Sequence, residues 1–222
     1  MSQSKFNHEE IYRGSDLIKK LSSYHITVCG AGAVGSNLVD TLSRSAFSNI
    51  KVIDKDRVEN SNLSTQVWSE KDIGALKADA LKNKVFMNVG TEIESINKEL
   101  NKSNVAKFLK GSNLVVDAFD NSASRKLVQD ECRAKKLNCL HIGLGEQGNF
   151  AEIIWDFFYK VPQDTTGDVC DYPMARNLIC LAVAIAAEEI MDFCVNSKPR
   201  LKNWALTLKD LTIKELRLCQ SV

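Results

Sequence analysis

The run Gly30-Ala31-Gly32-Ala33-Val34-Gly35 stands between a strand-like stretch, His25–Cys29, and a segment with apolar residues at Val34, Leu38, Leu42 and Ala46. The first pattern suits a short buried strand, and the second has the three-to-four spacing of a helix face. Glycine between them serves two needs. The backbone must turn tightly, and it must approach a phosphate with no Cβ in the way. Free N–H groups at the helix start then face the anion. Asp54 ends a second strand pattern, Ile50–Asp54, at the distance of about 20 residues where an acid binds ribose hydroxyls. Gly30, Gly32, Gly35 and Asp54 therefore read as a nucleotide site, with the nucleotide left open. The alternative is a strand–helix turn that merely needs small residues.

Strand and helix patterns go on alternating. Helices are expected over Ile73–Met87, Val105–Leu109 and Ser122–Lys136, and strands over Thr91–Ile96, Leu114–Ala118 and Cys139–Gly143. Repeated strand–helix–strand units predict a Rossmann-like, doubly wound α/β fold with a mostly parallel sheet. After Gly143 the pattern changes. Phe150–Phe158 reads as a strand, and Lys160–Tyr172 has no period and reads as a crossover loop. Met174–Cys194 reads as a long helix, apolar all round over Leu178–Ala187, to be buried in the domain or against a second subunit. Trp204–Leu208 and Thr212–Leu218 suggest an antiparallel hairpin. One continuous domain over 1–222 is expected, with a nucleotide-binding part at 24–143 and the crossover loop, apolar helix and final strands at 144–222.

Charge narrows the partners. Lys and Arg number 29 and Asp and Glu 28, a formal net charge of +1, which gives no electrostatic case for nucleic acid or an anionic membrane. The N-terminus is too polar for a secretory signal, and Leu178–Ala187 is shorter than the roughly 20 residues that span a bilayer. Seven cysteines, at 29, 132, 139, 170, 180, 194 and 219, make an odd set without a Cys-x-x-Cys pair, so zinc is not expected. A cytoplasmic chain with reduced thiols follows. Cys29, Cys180 and Cys194 are expected to be packing residues.

An NAD-dependent dehydrogenase would need only Asp54. The chain continues with Asp54-Lys55-Asp56-Arg57-Val58, then Ser61-Asn62-Leu63-Ser64-Thr65-Gln66, Asp72-Ile73-Gly74, Lys77, and Asp117-Ala118-Phe119-Asp120-Asn121 with Arg125 beyond. In that order these runs resemble the ubiquitin-activating enzyme family in its ThiF, MoeB and HesA form, from about residue 13 to the end. The resemblance implies ATP-dependent adenylylation of the C-terminal glycine of a ubiquitin-like or sulfur-carrier protein, with pyrophosphate released. It assigns Asp54 to the ribose, Gly32 and Gly35 to backbone approach, Asn62 and Gln66 to the phosphates, Lys77 to charge pairing and Asp120 to Mg²⁺. It also implies a homodimer, or a heterodimer, and places Arg13 where an N-terminal arginine is lent to the partner's site. A chain of this length would hold the adenylation domain alone, with its partners in trans. Each residue keeps a simpler alternative: Lys77 as solvated surface, Asp120-Asn121 as a helix cap, Arg125 as support for the loop.

The pattern breaks once. The family's Asn-Leu-x-Arg-Gln reads Asn62-Leu63-Ser64-Thr65-Gln66, so Thr65 stands where a phosphate-binding arginine belongs. Losing a bidentate cation there is a large change. Either another cation (Arg57, Lys55 or Arg13) substitutes, or the enzyme is slow, or the chain is a half-active member paired with another subunit. Members that go beyond adenylation use a cysteine, usually in the crossover loop, and Cys170 has that place. A thiolate before a helix has a lowered pKa, although Asp168 and Asp171 oppose this; the alternative is a small loop residue. Two other functions stay open: an NAD-dependent oxidoreductase, which leaves Lys77 and Asp120 unexplained, and a non-catalytic scaffold that binds a carrier tail.

Overall fold

Alternate residues of a strand face opposite sides of a sheet, and in the middle of this sheet both sides are apolar. A computed structural model describes residues 4–163 and 173–216. Helices α1 (Asn7–Arg13) and α2 (Ser15–Ser23) lead into β1 (His25–Cys29), α3 (Ala33–Arg44) and β2 (Asn49–Ile53). After two short 3-10 turns come α4 (Lys77–Val89), β3 (Glu94–Ile96), α5 (Val105–Leu109), β4 (Leu114–Asp117), α6 (Ser122–Lys135) and β5 (Asn138–Leu144). The chain closes with β6 (Phe150–Trp155), α7 (Arg176–Asn196), β7 (Asn203–Thr207) and β8 (Thr212–Leu216).

The strands form one sheet in the order β3-β2-β1-β4-β5-β6-β7-β8. From β3 to β5 all pairings are parallel, and from β5 to β8 all are antiparallel. Ile26 and Val28 of β1, Leu114 and Val116 of β4, and Leu140 and Ile142 of β5 face one layer, built with α2, α3, α4 and α7. Cys29, Val115 and Cys139 face the other, with α5 and α6. This is the expected doubly wound sheet with an antiparallel end.

Helix and strand ends moved where local contacts overrode periodicity. The helix expected from Ile73 begins at Lys77, because Ile73 is exposed and Gly74 turns the chain at φ +86°. The strand expected to reach Phe158 stops at Trp155, where the Asp156 N–H turns back to the Cys139 carbonyl at 3.0 Å. The strand expected from Thr91 is reduced to Glu94–Ile96 at the sheet edge. Along α7, Leu178, Ile179, Ala182, Val183, Ala186 and Ala187 are buried. Cys180, Leu181 and Ala184 face outward, so the stretch is not buried all round. Cys180 is thus exposed, not a packing residue, while Cys29 and Cys194 are buried as expected. No helix among the described residues is long and apolar enough to cross a membrane.

Candidate nucleotide site

The chain runs outward from β1 to β2 and β3 and then crosses back to β4 on the other side of β1, so the carboxyl ends of β1 and β4 border a crevice where open α/β sheets take ligands. The glycine turn lies there. Gly30 has φ +98°, donates its N–H to the Ile53 carbonyl at 2.8 Å, and would press a Cβ to 2.9 Å from the Ala118 carbonyl oxygen. A Cβ on Gly35 would fall 1.9 Å from the Gly30 carbonyl oxygen. Both glycines are required by the protein's own packing. Gly32 is different. It is the N-cap of α3 with φ −77°, and nothing lies within 4 Å of the place its Cβ would take. Neither backbone nor packing demands glycine at that position, whereas a phosphate approaching the free N–H groups of α3 does.

Asp54 follows β2 and is 7% exposed. Its Oδ2 accepts the Ala31 N–H at 2.6 Å and its Oδ1 the Asp56 N–H at 2.7 Å, so the acid is tied directly to the glycine turn. Burial raises its pKa above the ordinary carboxylate value, against these two N–H groups and the Lys77 charge, which lower it. Lys77, the first residue of α4, is buried. Its Nζ lies 3.9 Å from Asp56 Oδ2 and makes no hydrogen bond among the described residues. It is therefore not solvated surface. Asn97, just past β3, has a buried Oδ1 with no partner among the described residues, and the Ile96 carbonyl beside it accepts the Asp54 N–H at 3.1 Å. A buried ammonium without a hydrogen bond, an orphaned amide oxygen and an open glycine cradle all fit a bound nucleotide.

Asn62 and Gln66 lie in and just after a 3-10 turn, Asn60–Ser64. Asn62 Oδ1 accepts the Glu59 N–H at 3.0 Å, and Gln66 Oε1 accepts from Trp68 Nε1 at 2.6 Å. Each therefore spends its carbonyl on the fold and keeps its amide N–H₂ as the group to offer a ligand. Asn37 of α3 holds this segment in place, donating through Nδ2 to the Ala33 carbonyl at 2.7 Å and to the Thr65 carbonyl at 2.8 Å. Spacing alone did not single out Asn37.

Across the crevice, Asp117 ends β4 fully buried. Its Oδ1 accepts the Phe119 N–H at 3.2 Å, shaping the loop that carries Asp120. Its Oδ2 meets His141 Nδ1 at 2.8 Å and Arg125 Nη1 at 3.5 Å. Arg125 also donates to the Ile142 carbonyl at 2.8 Å and to the Tyr159 hydroxyl at 3.0 Å, so it supports the loop, as expected. The cap of α6 is Asn121, whose Oδ1 accepts the Ser124 N–H at 2.9 Å. Asp120 is left exposed, and among the described residues its one hydrogen bond is from the Asn121 amide at 3.3 Å. No group of three or more potential metal ligands converges among the described residues. A single free carboxylate suits Mg²⁺, which keeps waters and phosphate oxygens as its other ligands.

The basic residues near the Thr65 break differ in how far they are committed. Lys55 pairs with Glu99 at 2.7 Å, and Arg57 donates to the Gly74 carbonyl at 2.6 Å. Arg13 is held by Glu9 at 2.6 Å and by Glu188 of α7 at 3.1 Å. Arg176, which spacing did not pick out, opens α7 and donates to the Gln66 carbonyl at 3.4 Å. Cys170 lies outside the described residues.

Comparison with known proteins agrees with this geometry. The ThiF family matches residues 6–220. The SAMP-activating enzyme E1 of Haloferax volcanii is 35% identical over 124 residues, 55% of this chain and 46% of that protein. The sulfur carrier protein ThiS adenylyltransferase of Bacillus subtilis is 27% identical over 132 residues, 57% of this chain and 39% of that protein. The chain thus spans less than half the length of either relative. Among solved structures, E. coli MccB with ATP superposes with a TM-score of 0.80 at 18% identity, over 99% of this chain and 73% of that one, a likeness of fold. With the match running from the start of α1 past the end of β8, and the glycine turn, acid and buried lysine brought to one crevice, the chain belongs to the ThiF family.

Proposed function

We propose that the chain uses ATP to adenylylate the C-terminal glycine of a ubiquitin-like or sulfur-carrier protein. The observation that carries this reading is the crevice itself: an open cradle at Gly32, an acid tied to the turn, and a buried lysine with only a 3.9 Å ion pair. An oxygen of the carrier's terminal carboxylate attacks the α-phosphorus, the bond from that phosphorus to the bridging oxygen breaks, and pyrophosphate leaves. No general base is needed, because the carboxylate is already ionised near neutral pH. What the protein supplies is position and charge. Asp54 takes the ribose hydroxyls, the Gly32–Gly35 backbone and the amides of Asn62 and Gln66 take phosphate oxygens, and Lys77 offsets the charge that builds between two anions. Asp120 would hold Mg²⁺, whose chemistry there is to neutralise phosphate oxygens.

The reading extends to a homodimer through the outward strip of α7, where Leu181 is 38% exposed, and through α1, where Ile11 and Tyr12 are 75% and 81% exposed. The Arg13–Glu188 contact joins the two helices. It places the chain in the cytoplasm, in keeping with its free thiols. It also gives Cys170 the later step, in which its sulfur takes the activated carboxyl as a thioester and AMP leaves. The sulfur-carrier adenylyltransferase among the relatives supports the substrate class, and the Lys77 and Asp120 positions speak against the oxidoreductase. ATP–pyrophosphate exchange, with Mg²⁺ and a carrier protein ending in Gly-Gly, tests the reaction. Exchange is expected; NADH turnover independent of ATP, or carrier binding without exchange, would overturn it.

A further inference from the structure

Thr65 leaves the site short of a cation, and its side chain supplies no substitute. It is 6% exposed, and its Oγ1 is buried with no hydrogen-bond partner among the described residues. The position that would carry a phosphate-binding arginine is sealed inside the protein. The three basic residues that could have substituted are engaged elsewhere, Lys55 by Glu99, Arg57 by the Gly74 carbonyl, and Arg13 by Glu9 and Glu188.

Arg176 is not so engaged. Among the described residues its one polar contact is the 3.4 Å approach of Nη1 to the Gln66 carbonyl, at the long limit of a hydrogen bond. Among the described residues no carboxylate faces it, its side chain is exposed, and a guanidinium carries five N–H donors. Its position follows from the course of α7. The far end of that helix lies beside the start of β1, where Lys20 Nζ reaches the Val195 carbonyl at 2.8 Å and the Tyr24 hydroxyl meets Ser197 Oγ at 3.0 Å. The first residue of α7 is therefore at the opposite edge of the sheet, where the glycine turn opens. The carbonyl it touches belongs to the residue after Thr65, whose own carbonyl Asn37 ties to the first turn of α3.

We infer that Arg176 is the cation that faces the polyphosphate of the nucleotide, filling from the start of α7 the role that Thr65 has vacated. This rests on the nucleotide reading of the crevice. Lys77 comes to the phosphates from the α4 side and Arg176 from the α7 side, so the site recovers two cations without one at position 65.

Titration of the whole chain with ATP and, separately, with adenosine tests the assignment in wild type, R176A, R176K and R176Q. Loss of a charge-assisted contact corresponds to about a 10- to 100-fold weaker ATP affinity in R176A and R176Q. R176K is expected to lose less, and adenosine affinity should change less than about threefold, since adenosine has no phosphate to lose. R176Q keeps a polar side chain without charge, so a folding defect in R176A leaves the test standing. R176A and R176Q binding ATP like wild type would overturn the assignment while leaving the nucleotide site intact. Equal weakening for ATP and adenosine would also overturn it, showing that Arg176 only shapes the Gln66 segment. Wild type failing to bind either compound would instead overturn the nucleotide reading beneath it.

Discussion

Two polar constellations lie at the carboxyl ends of neighbouring strands, and they are built to opposite rules. Beyond β4 and β5, Asp117, Arg125, His141, Asp156 and Tyr159 form a closed network. His141 is flanked by Asp117 at 2.8 Å and Asp156 at 3.2 Å, and its ring stacks on Tyr159 at 3.8 Å. Asp156 also takes Arg133 at 2.8 Å and Gln129 at 3.0 Å. Each charge meets an opposite charge or a hydrogen bond, as a low-dielectric interior demands. Beyond β1 and β2 the accounts stay open: among the described residues Lys77 has no hydrogen bond, Asn97 Oδ1 has no partner, and nothing stands within 4 Å of a Cβ on Gly32. A protein that can complete one network and leaves the adjacent one incomplete is reserving the second for something it binds. Fully hydrogen-bonded charge marks the part that folds the loop; charge held only by a long ion pair marks the part that meets the ligand.

The sharpest way to break this contrast is to delete one cation from each. Arg125→Ala strands the buried Asp117, and losing one partner of a buried pair costs about 3–5 kcal/mol. The urea midpoint should fall accordingly. Lys77→Ala should lower that midpoint by less, because it forfeits only the 3.9 Å ion pair with Asp56, the attraction for Asp54 and the packing of its stem, yet lower pyrophosphate exchange by roughly 100-fold or more, the scale of removing one transition-state donor. A stable R125A or an unstable K77A would mean that pairing does not separate folding from function here.

The sequence made these two regions legible to very different degrees. The parallel sheet was readable because both faces of β1, β4 and β5 are apolar, and because the glycine turn marks where a strand becomes a helix. Asp54 could be named because it ends a strand at a recognisable offset from the glycine turn, whereas Lys77 and Asp120 could be named only through the ordered motifs that resemble the family's. The closed network was not readable as a network. His141, Asp156 and Tyr159 meet Asp117 and Arg125 only through strand pairing and the turn after Trp155, and no local spacing encodes that. Asn37 and Arg176 escaped for a related reason: their partners are backbone carbonyls, which any residue type supplies. The helices α1 and α2 bury only Ile18 and Leu21 between them, too little apolar pattern to stand out from a polar N-terminus.

The two inner glycines sharpen the contrast within the site. Gly35→Ala forces a Cβ to 1.9 Å from the Gly30 carbonyl oxygen, and the backbone must yield, at a cost toward the upper end of the roughly 1–3 kcal/mol typical of overpacking. Gly32→Ala meets no protein atom and no forbidden φ, so its stability should fall by no more than about 1 kcal/mol, the usual cost of placing alanine at an N-cap. Its ATP affinity should still drop, on the order of tenfold, as one phosphate contact is pushed away. Calorimetric melting beside ATP titration separates the two. If Gly32→Ala bound ATP normally, the open space there would have no ligand to explain it.

The smallest effects, and the most diagnostic in sign, come from one carboxylate on each side. Asp54 and Asp156 are both partly or wholly withdrawn from water, and burial pushes both pKa values up. At Asp156, hydrogen bonds from His141, Arg133 and Gln129 outweigh burial and carry it below the ordinary value. At Asp54 they do not: the Ala31 and Asp56 N–H groups and the Lys77 charge fall short, and it remains above. The linkage signs are therefore opposite. Asp156 contributes stability present above its unfolded pKa and lost as the pH falls through its lower folded value. Asp54 contributes stability present below its unfolded pKa and lost as the pH rises through its higher folded value, so that ionised Asp54 is a cost the empty site bears. Urea melts of wild type, D54N and D156N across the acid range read both as differences from wild type. As the pH falls, the wild-type advantage over D156N should shrink, while its standing relative to D54N should improve. ATP should reduce the second slope if ribose hydroxyls supply the hydrogen bonds that Asp54 lacks, and should leave the first untouched. Slopes of the same sign would mean that the acid beside the glycine turn is as fully paired as the one in the network, and the distinction between the two regions would fail at its most sensitive point.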